Sequence, residues 1–308
     1  MMIVGQGRDH FALISGSKAN AMHFAITGCD RYLGIFEAFV RAGWRPLRLF
    51  TSPVTSELDN QSRVVALARQ HGAAVQLSRL TTDDLAELRG QGCDALIVAS
   101  YNWKICDWRP YLKYAVNFHC SPLPEGRGPY PIMRAILEKR ESWAITCHKL
   151  TSDIDRGDIL AAEGFPLRPD ECHESLNLKV QIAAGRLAKA VATRFTELWE
   201  RAEPQERGTY WKLPTFEERL IDFRRPVEEI LLHIRAYGAI GSVANIGNHW
   251  LIVRRAVGWS ETHGNPPGCV IHVFNRAFVV AVSDGYLGVI ESMPMVTQQQ
   301  TRVANSKE

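Results

Sequence analysis

The sequence predicts an α/β protein in which a doubly wound, mostly parallel sheet is followed by a small β-barrel. Apolar runs typical of buried strands alternate with segments whose apolar residues repeat at helical spacing, from His23 to about Leu137. Several short strand-like runs, separated by turn residues, follow Ala244 and predict the barrel. A polar motif ends the strand beginning at Ala115, the edge where open α/β sheets carry their sites.

Each element of the first unit follows from a local pattern. Leu33, Phe36, Phe39 and Val40 share one helical face. Gly72 is a plausible C-cap, and prolines sit near the start of the last helix. The predicted elements are strand 23–28, helix 33–42, strand 48–50, helix 62–71, strands 95–99 and 115–119, and helix 128–137.

The second half is predicted as a long helix, a linker and a β-rich unit. The segment 200–208 is charged and carries Pro204, which is typical of a linker. The predicted elements are helix 174–199, helix 226–237, and strands 250–253, 268–274, 277–282 and 287–292. We therefore expect a leader or disordered extension at 1–21, a first domain at 22–203, a C-terminal domain with its linker at 204–296, and a tail at 297–308.

Composition favours a cytoplasmic protein with reduced thiols. The 308 residues are 46% hydrophobic with a formal net charge of +3, and no apolar run approaches the roughly 20 residues of a membrane span. The seven cysteines form no close C-x-x-C pair, so neither a zinc site nor a disulfide framework is indicated. Residues 1–21 lack a signal-peptide pattern. We expect no membrane partner, and the oligomeric state stays open.

The most informative motif is Asn117-Phe118-His119 at the end of an apolar strand. Side chains alternate along a strand, so Asn117 and His119 point the same way. An amide donor and an imidazole in one pocket suit acyl-type transfer, in which an oxyanion needs donors and a proton needs an acceptor. A single histidine at a strand end is more often structural, so the pair needs further support.

A carboxylate downstream supplies that support. Asp155 precedes Arg156-Gly157-Asp158 in a predicted tight turn, although aspartates in turns usually serve backbone hydrogen bonds. Together the two segments read Asn-x-His-x-Ser-x-Leu-Pro-x-x-Arg-Gly and then Asp-x-Gly-Asp. This pattern resembles the formyltransferases that use 10-formyltetrahydrofolate, which act on methionyl-tRNA, glycinamide ribonucleotide or nucleotide sugars. The resemblance extends from about Met22 to Met295 and implies a Rossmann-like sheet with an OB-like C-terminal domain.

The resemblance implies that Asn117, His119 and Asp155 are the catalytic residues. Asn117 and His119 would contact the oxyanion, while Asp155 would orient His119 or take the amine proton through a water. His119 would act either protonated or as a neutral donor. Because a carboxylate beside an imidazole raises its pKa, the motif favours a charged His119 near neutral pH.

The resemblance also places the formyl donor, 10-formyltetrahydrofolate, near two loops, and implies no metal. The expected cofactor contacts are Tyr101, Asn102, Trp103, Ile105, Ser152 and Asp153. Tyr101 and Trp103 are equally well explained as packing residues. Ser121, Arg127 and Gly128 are expected to form a substrate loop, with Arg127 fixing loop carbonyls or a substrate acid.

The acceptor is a separate question. The methionyl-tRNA enzymes carry a basic loop after the second strand, but the corresponding residues 51–63 hold two acids and one base, a net charge of −1. A polyanion requires a basic surface, so tRNA is disfavoured as partner and remains the alternative. We expect a small-molecule amine: an amino acid, an amino sugar or a specialised metabolite. A hydrolase of the formyl donor, and an inactive relative whose OB-like domain binds nucleic acid, are further alternatives.

Overall fold

The computed structural model describes residues 21–53 and 60–295, which contain two β-sheets. The predicted leader and tail lie almost entirely outside these ranges. Residues 54–59, which belong to the segment 51–63 discussed above, also lie outside them. No helix within the described ranges has the length and apolar character that crossing a membrane requires.

The first sheet has seven strands in the order β3-β2-β1-β4-β5-β6-β7. Its strands are β1 (His23–Gly28), β2 (Arg45–Phe50), β3 (Ala74–Gln76), β4 (Ala95–Ala99), β5 (Tyr114–His119), β6 (Ser142–Lys149) and β7 (Ile159–Pro166). The first five are parallel, whereas β6 and β7 are antiparallel to their neighbours. The predicted doubly wound, mostly parallel sheet is thereby confirmed, and β6 and β7 are additions that the sequence patterns had not predicted.

Helices and apolar side chains cover both faces of this sheet. The helices of the first unit are α1 (Leu33–Arg41), α2 (Ser62–Gln70), α3 (Thr82–Gly90), α4 (Ile132–Leu137), α5 (His173–Thr193) and α6 (Phe195–Glu200). Alternation along β1 sends Phe24 and Ile26 into the core shared with α1 and α5, and Ala25 into the core beneath α3. Burial on both faces explains the near-continuous apolar runs of these strands.

Two helix predictions differ from the structure at their boundaries. Helix α4 begins at Ile132 rather than residue 128, because Gly128 has a φ of +105° and is held in the preceding loop. The predicted helix 174–199 is divided at Arg194 into α5 and α6.

The second sheet is antiparallel throughout, with the order β10-β11-β12-β9-β8. Its strands are β8 (Ser242–Ile246), β9 (His249–Ser260), β10 (Val270–Phe274), β11 (Ala277–Val282) and β12 (Gly285–Pro294). Strands β10 to β12 form a meander whose last member lies beside β9, which is a Greek-key order. Helix α7 (Val227–Tyr237) packs Val227, Ile230 and Ile234 against this sheet.

Candidate active site

The end of β5 carries the two polar side chains of the motif. Residue Asn117 pairs with His148 of β6, and His119 pairs with Thr146. Both motif residues lie at the carboxyl end of the last parallel strand, the edge where ligands bind in open α/β sheets. Because side chains alternate along a strand, Asn117 and His119 lie on the same face of β5, as the sequence predicted.

His119 is buried, with 8% of its surface exposed, and its ring has a fixed orientation. Its Nε2 lies 2.8 Å from the carbonyl oxygen of Gly126, and a carbonyl only accepts, so Nε2–H is the donor. In the neutral ring Nδ1 therefore keeps its lone pair. Nδ1 lies 3.6 Å from Oδ1 of Asp155.

Asp155 reaches the end of β5 from a turn between β6 and β7. Its backbone has a φ of +56°, an unusual conformation for a residue other than glycine. Its Oδ2 accepts the amide of Gly128 at 2.9 Å, and its Oδ1 lies 3.3 Å from Nδ2 of Asn117. Gly157 is required in this turn, because a Cβ there would overlap the carbonyl oxygen of Lys149. The structure thus brings Asn117, His119 and Asp155 together.

His148 is a fourth member of this cluster that sequence reasoning missed. Its Nδ1–H donates to the carbonyl of Lys149 at 2.8 Å, so Nε2 can accept from Nδ2 of Asn117 at 3.1 Å. The same Nε2 is 3.6 Å from Oδ1 of Asp155, and only 1% of the side chain is exposed. The available signal in the sequence was a histidine that directly follows the strand-like run Ile145-Thr146-Cys147. The pairing of β6 with β5 was needed to interpret it.

Burial and neighbours set the charges of this cluster. Burial would raise the pKa of Asp155, but the nearby imidazoles of His148 and His119, together with the Gly128 amide, lower it. Burial lowers the pKa of His119, and this outweighs Asp155 and the Gly126 carbonyl, which act to raise it. Of the two states that the sequence left open for His119, this lowered pKa favours the neutral ring over the charged one. The sequence reasoning considered the carboxylate but not the desolvation of the ring.

The predicted substrate-loop residues stabilise their own loop. Ser121 is fully buried and donates its hydroxyl to the carbonyl of Glu125 at 2.8 Å. The guanidinium of Arg127 is also buried and donates to Gln205 and to the carbonyl of Glu206. Of the two roles expected for Arg127, these contacts favour the fixing of carbonyls. Gly128 contributes its amide to Asp155.

The predicted cofactor contacts lie in two loops that flank the end of β5. Tyr101, Trp103 and Ile105 follow β4; Tyr101 accepts the amide of Leu80 at 2.6 Å, and its ring packs edge-on against Trp103. Ser152 and Asp153 are exposed in the turn after β6. Tyr101 and Asn102 also line a small recess at the ends of β1, β2 and β4. The contacts of Tyr101 agree with the packing alternative, and none of the six touches the catalytic cluster through a described hydrogen bond.

A cavity also lies away from this cluster. A cleft of about 430 Å³ is formed by α4, α7 and the segments 139–141 and 167–171, and none of the predicted site residues lines it. Its walls mix acidic and basic side chains. Because ligands bind at the carboxyl ends of the strands in open α/β sheets, the Asn117 cluster is the candidate active site. Within the described ranges no group of three or more potential ligands could hold a metal ion.

Known proteins resemble this chain in sequence and in fold. Residues 215–301 match the family model "Formyl transferase, C-terminal domain". A methionyl-tRNA formyltransferase of Methylibium petroleiphilum is 30% identical over 246 residues, covering 75% of this chain and 77% of its own. One from Halorhodospira halophila is 26% identical over 298 residues, covering 92% of each chain.

Two solved structures share the fold at low identity. HypX from Aquifex aeolicus in complex with tetrahydrofolic acid has a TM-score of 0.63 and 19% identity, and covers 88% of this chain and 44% of its own. An N-formyltransferase from Helicobacter canadensis, in complex with folinic acid and dTDP-3-aminofucose, has a TM-score of 0.62 and 16% identity, covering 88% of this chain and 100% of its own. The relatives define a class of enzymes that transfer formyl groups. The chain belongs to the formyltransferase family, with the layout of the methionyl-tRNA formyltransferases.

Proposed function

We propose that this enzyme transfers a formyl group from 10-formyltetrahydrofolate to the primary amine of a small molecule. The observation that carries the proposal is the convergence of Asn117, His119 and Asp155 at the end of β5, with 3.3 Å and 3.6 Å separating Asp155 from the other two. The folate ligands of the HypX and Helicobacter canadensis structures support the choice of formyl donor.

Asn117 is proposed as the oxyanion donor. Attack of the amine nitrogen on the formyl carbon forms a C–N bond and moves the carbonyl electron pair onto oxygen. An asparagine amide has two N–H groups. One is directed to His148 at 3.1 Å, and the other makes the longer contact of 3.3 Å with Asp155. The second N–H, which makes the longer contact, is the one proposed to be shared with the oxyanion.

His119 is proposed as the proton carrier. Its Nε2–H is committed to Gly126, so Nδ1 can accept the proton that the attacking amine must lose. The resulting imidazolium lies beside the Asp155 carboxylate, 3.6 Å away, which stabilises the charge. Collapse of the intermediate breaks the bond between the formyl carbon and N10. The proton then passes from His119 to N10, which gives tetrahydrofolate and the N-formyl product.

The charge distribution supports a small acceptor. Residues 51–63 carry a net charge of −1, from two acids and one base. Arg224 pairs with Asp222 at 2.8 Å, and Arg225 pairs with Glu229 at 2.8 Å. Phosphates would have to compete with these carboxylates, so this arginine pair offers little free positive charge to a polyanion.

The second candidate is the formylation of methionyl-tRNA. It is favoured by the relatives named above, which are methionyl-tRNA formyltransferases. The one from Halorhodospira halophila matches this chain over 92% of its length. The Formyl transferase C-terminal domain at 215–301 also belongs to this layout.

The test is turnover of 10-formyltetrahydrofolate, followed as release of tetrahydrofolate. The acceptors are charged methionyl-tRNA, a panel of free amines, and nucleotide-linked amino sugars. Wild type is compared with His119→Ala and with the control Arg134→Ala, which removes an exposed ion pair to Glu218.

Turnover with a small amine that His119→Ala abolishes and Arg134→Ala preserves would support the proposal. Turnover restricted to charged tRNA would overturn the choice of acceptor. Formate release without any acceptor would mean that water is the nucleophile, and would overturn transfer itself.

A further inference from the structure

The segment Glu203–Trp211, here called the strap, joins the first sheet's unit to the second. The sequence predicted most of it as a linker, but the structure shows it bonded at both ends. Glu203 and Ile159 of β7 exchange two backbone hydrogen bonds of 2.8 and 3.0 Å. Arg127 donates to the carbonyl of Thr209 at 3.0 Å and accepts the amide of Trp211 at 2.8 Å. The strap therefore spans the acid turn and the loop after β5.

Gln205 makes the central contacts of the strap. Its Nε2 donates to the carbonyls of Asp155 and Gly157, at 2.9 and 2.7 Å. Its Oε1 accepts Nε and Nη2 of Arg127, at 3.0 and 2.9 Å. One amide thus bridges the turn that carries Asp155 and the loop that precedes Gly128. Both ends of the Asp155–Gly128 hydrogen bond are anchored to the same side chain.

The far end of the strap holds the other catalytic contact. The hydroxyl of Thr209 accepts the amide of Gly126 at 2.8 Å, and the carbonyl of Gly126 in turn accepts Nε2–H of His119. Gly208 lies against this loop so closely that a Cβ there would overlap the carbonyl oxygen of Pro124. The orientation of the imidazole therefore depends on where the strap places Gly126.

Asp155 needs such support because of its backbone. A non-glycine residue in the left-handed region is strained and persists only where its surroundings hold it. The two hydrogen bonds from Gln205 fall on the carbonyls of Asp155 and of Gly157, two residues further on, so they hold the turn at Asp155 and directly after it.

We propose that Gln205 is a positioning residue for formyl transfer: through the strap it sets the Asp155 carboxylate against His119, so that the supposed linker is part of the active-site scaffold. This inference rests on the proposed function. It assigns no contact with substrate to Gln205. A displacement of about 1 Å in a catalytic group can cost about 100-fold in rate, so the effect should be measurable.

Two variants separate the halves of the bridge. Gln205→Met fills similar space and removes all four hydrogen bonds. Gln205→Glu keeps an acceptor for Arg127 but loses both N–H donors to the turn. Both should lower kcat by about 10- to 100-fold, with KM for 10-formyltetrahydrofolate nearly unchanged. Arg134→Ala, which also removes a contact between the two units, is the matched control and should retain wild-type kcat.

A second readout reports on geometry without turnover. The His119 ring is titrated by NMR in wild type and in Gln205→Met, with His119→Asn to assign its signal. The charged or titratable groups facing the ring are Asp155 and His148. If the strap holds Asp155 in place, releasing it should lower the pKa of His119, because the carboxylate acts to raise that pKa.

The outcomes distinguish this inference from the proposed function. Loss of kcat together with a shifted His119 titration supports the positioning role. Wild-type kcat in Gln205→Met, or a loss matched by the unfolded fraction with an unchanged titration, overturns it. If wild type transfers no formyl group, the proposed function fails, and the titration alone still decides whether the strap positions Asp155.

Discussion

Asn117 and His148 face each other across β5 and β6, with Nδ2 of the amide 3.1 Å from Nε2 of the imidazole. The other ring nitrogen of His148 donates to the carbonyl of Lys149 at 2.8 Å, which makes Nε2 an acceptor. The Asn117 amide therefore turns its nitrogen, and not its oxygen, toward His148 and Asp155. The orientation that an oxyanion donor requires is thus set by a residue on the neighbouring antiparallel strand.

Replacing His148 should weaken catalysis moderately. His148→Phe keeps the buried ring but removes the acceptor, so Asn117 loses one of the two contacts that orient it. The loss of one hydrogen bond of about 1 kcal/mol predicts a fall in kcat of about 5- to 10-fold. Steady-state kinetics at saturating 10-formyltetrahydrofolate measure it, and a loss of a thousandfold would show that His148 takes part in the chemistry directly.

Replacing Asn117 should be more damaging. Asn117→Ala removes the proposed oxyanion donor, which typically costs about 100- to 1000-fold in kcat. Because His148 acts through Asn117, the double variant Asn117→Ala/His148→Phe should be no slower than Asn117→Ala alone. The double-mutant cycle is measured with one acceptor at one pH. Fully multiplicative losses would contradict the dependence of one residue on the other.

The acid limb of the pH profile should report on His119. Its pKa is lowered, mainly by burial, so the ring stays neutral and able to accept a proton to below pH 6.5. Asp155 and the Gly126 carbonyl act to raise that pKa, so removing the carboxylate should lower it further. Asp155→Asn should move the acid limb of kcat/KM to lower pH while reducing the plateau. A limb that moves to higher pH would contradict the assignment of His119 as the proton acceptor.

Local patterns were sufficient to predict part of the fold and site. Strand alternation placed Asn117 and His119 on one side of β5, and the family motif selected Asp155. His148 and Gln205 are different, because each acquires its role through a partner distant in sequence: 31 residues separate His148 from Asn117, and 50 separate Gln205 from Asp155. Nothing in the composition of a charged, proline-containing segment indicates that it clamps two loops.

The sequence could not choose between a charged and a neutral His119 for a related reason. A neighbouring carboxylate could be inferred from the motif, but the extent to which the fold removes water from the ring could not. The boundary of α4 shows the same limit, since Gly128 leaves the helix in order to donate its amide to Asp155.

His173, the first residue of α5, should make the protein sensitive to acid. It is buried, and its Nε2 has no hydrogen-bond partner within the described ranges. Burial lowers its pKa; the charge of Glu174 opposes this, and that of Arg31 adds to it. An unfolded histidine titrates near 6.5, so the stability that the neutral ring provides is present above that pH and is lost as the pH falls toward the folded value.

His173→Phe should therefore lose less stability on acidification than wild type. Each proton taken up on unfolding contributes up to about 1.4 kcal/mol per pH unit. Urea denaturation at pH 8 and pH 5.5 gives the two free energies of unfolding for each protein. His119 and His233 have lowered pKa values as well and remain in both proteins, so the comparison isolates His173. Equal acid losses in the two proteins would contradict the prediction.

Affinity for tRNA should be weak and should depend little on salt. Each phosphate neutralised by a free Lys or Arg adds about 0.9 to the slope of log K against log salt. In the second unit, Arg224 and Arg225 are each paired with a carboxylate, so these two cations are less available for exchange. Fluorescence anisotropy with initiator tRNA, at salt concentrations from about 50 to about 200 mM, measures the slope of log K against log salt. Asp222→Asn releases Arg224 and should steepen the salt slope by about one. The control Asp107→Asn frees Arg109 in the first unit and leaves the pair of Arg224 with Asp222 intact, so it should not produce the steepening that is due to Arg224. A wild-type slope that corresponds to many phosphates would show that a basic surface exists elsewhere, and would favour methionyl-tRNA as the acceptor.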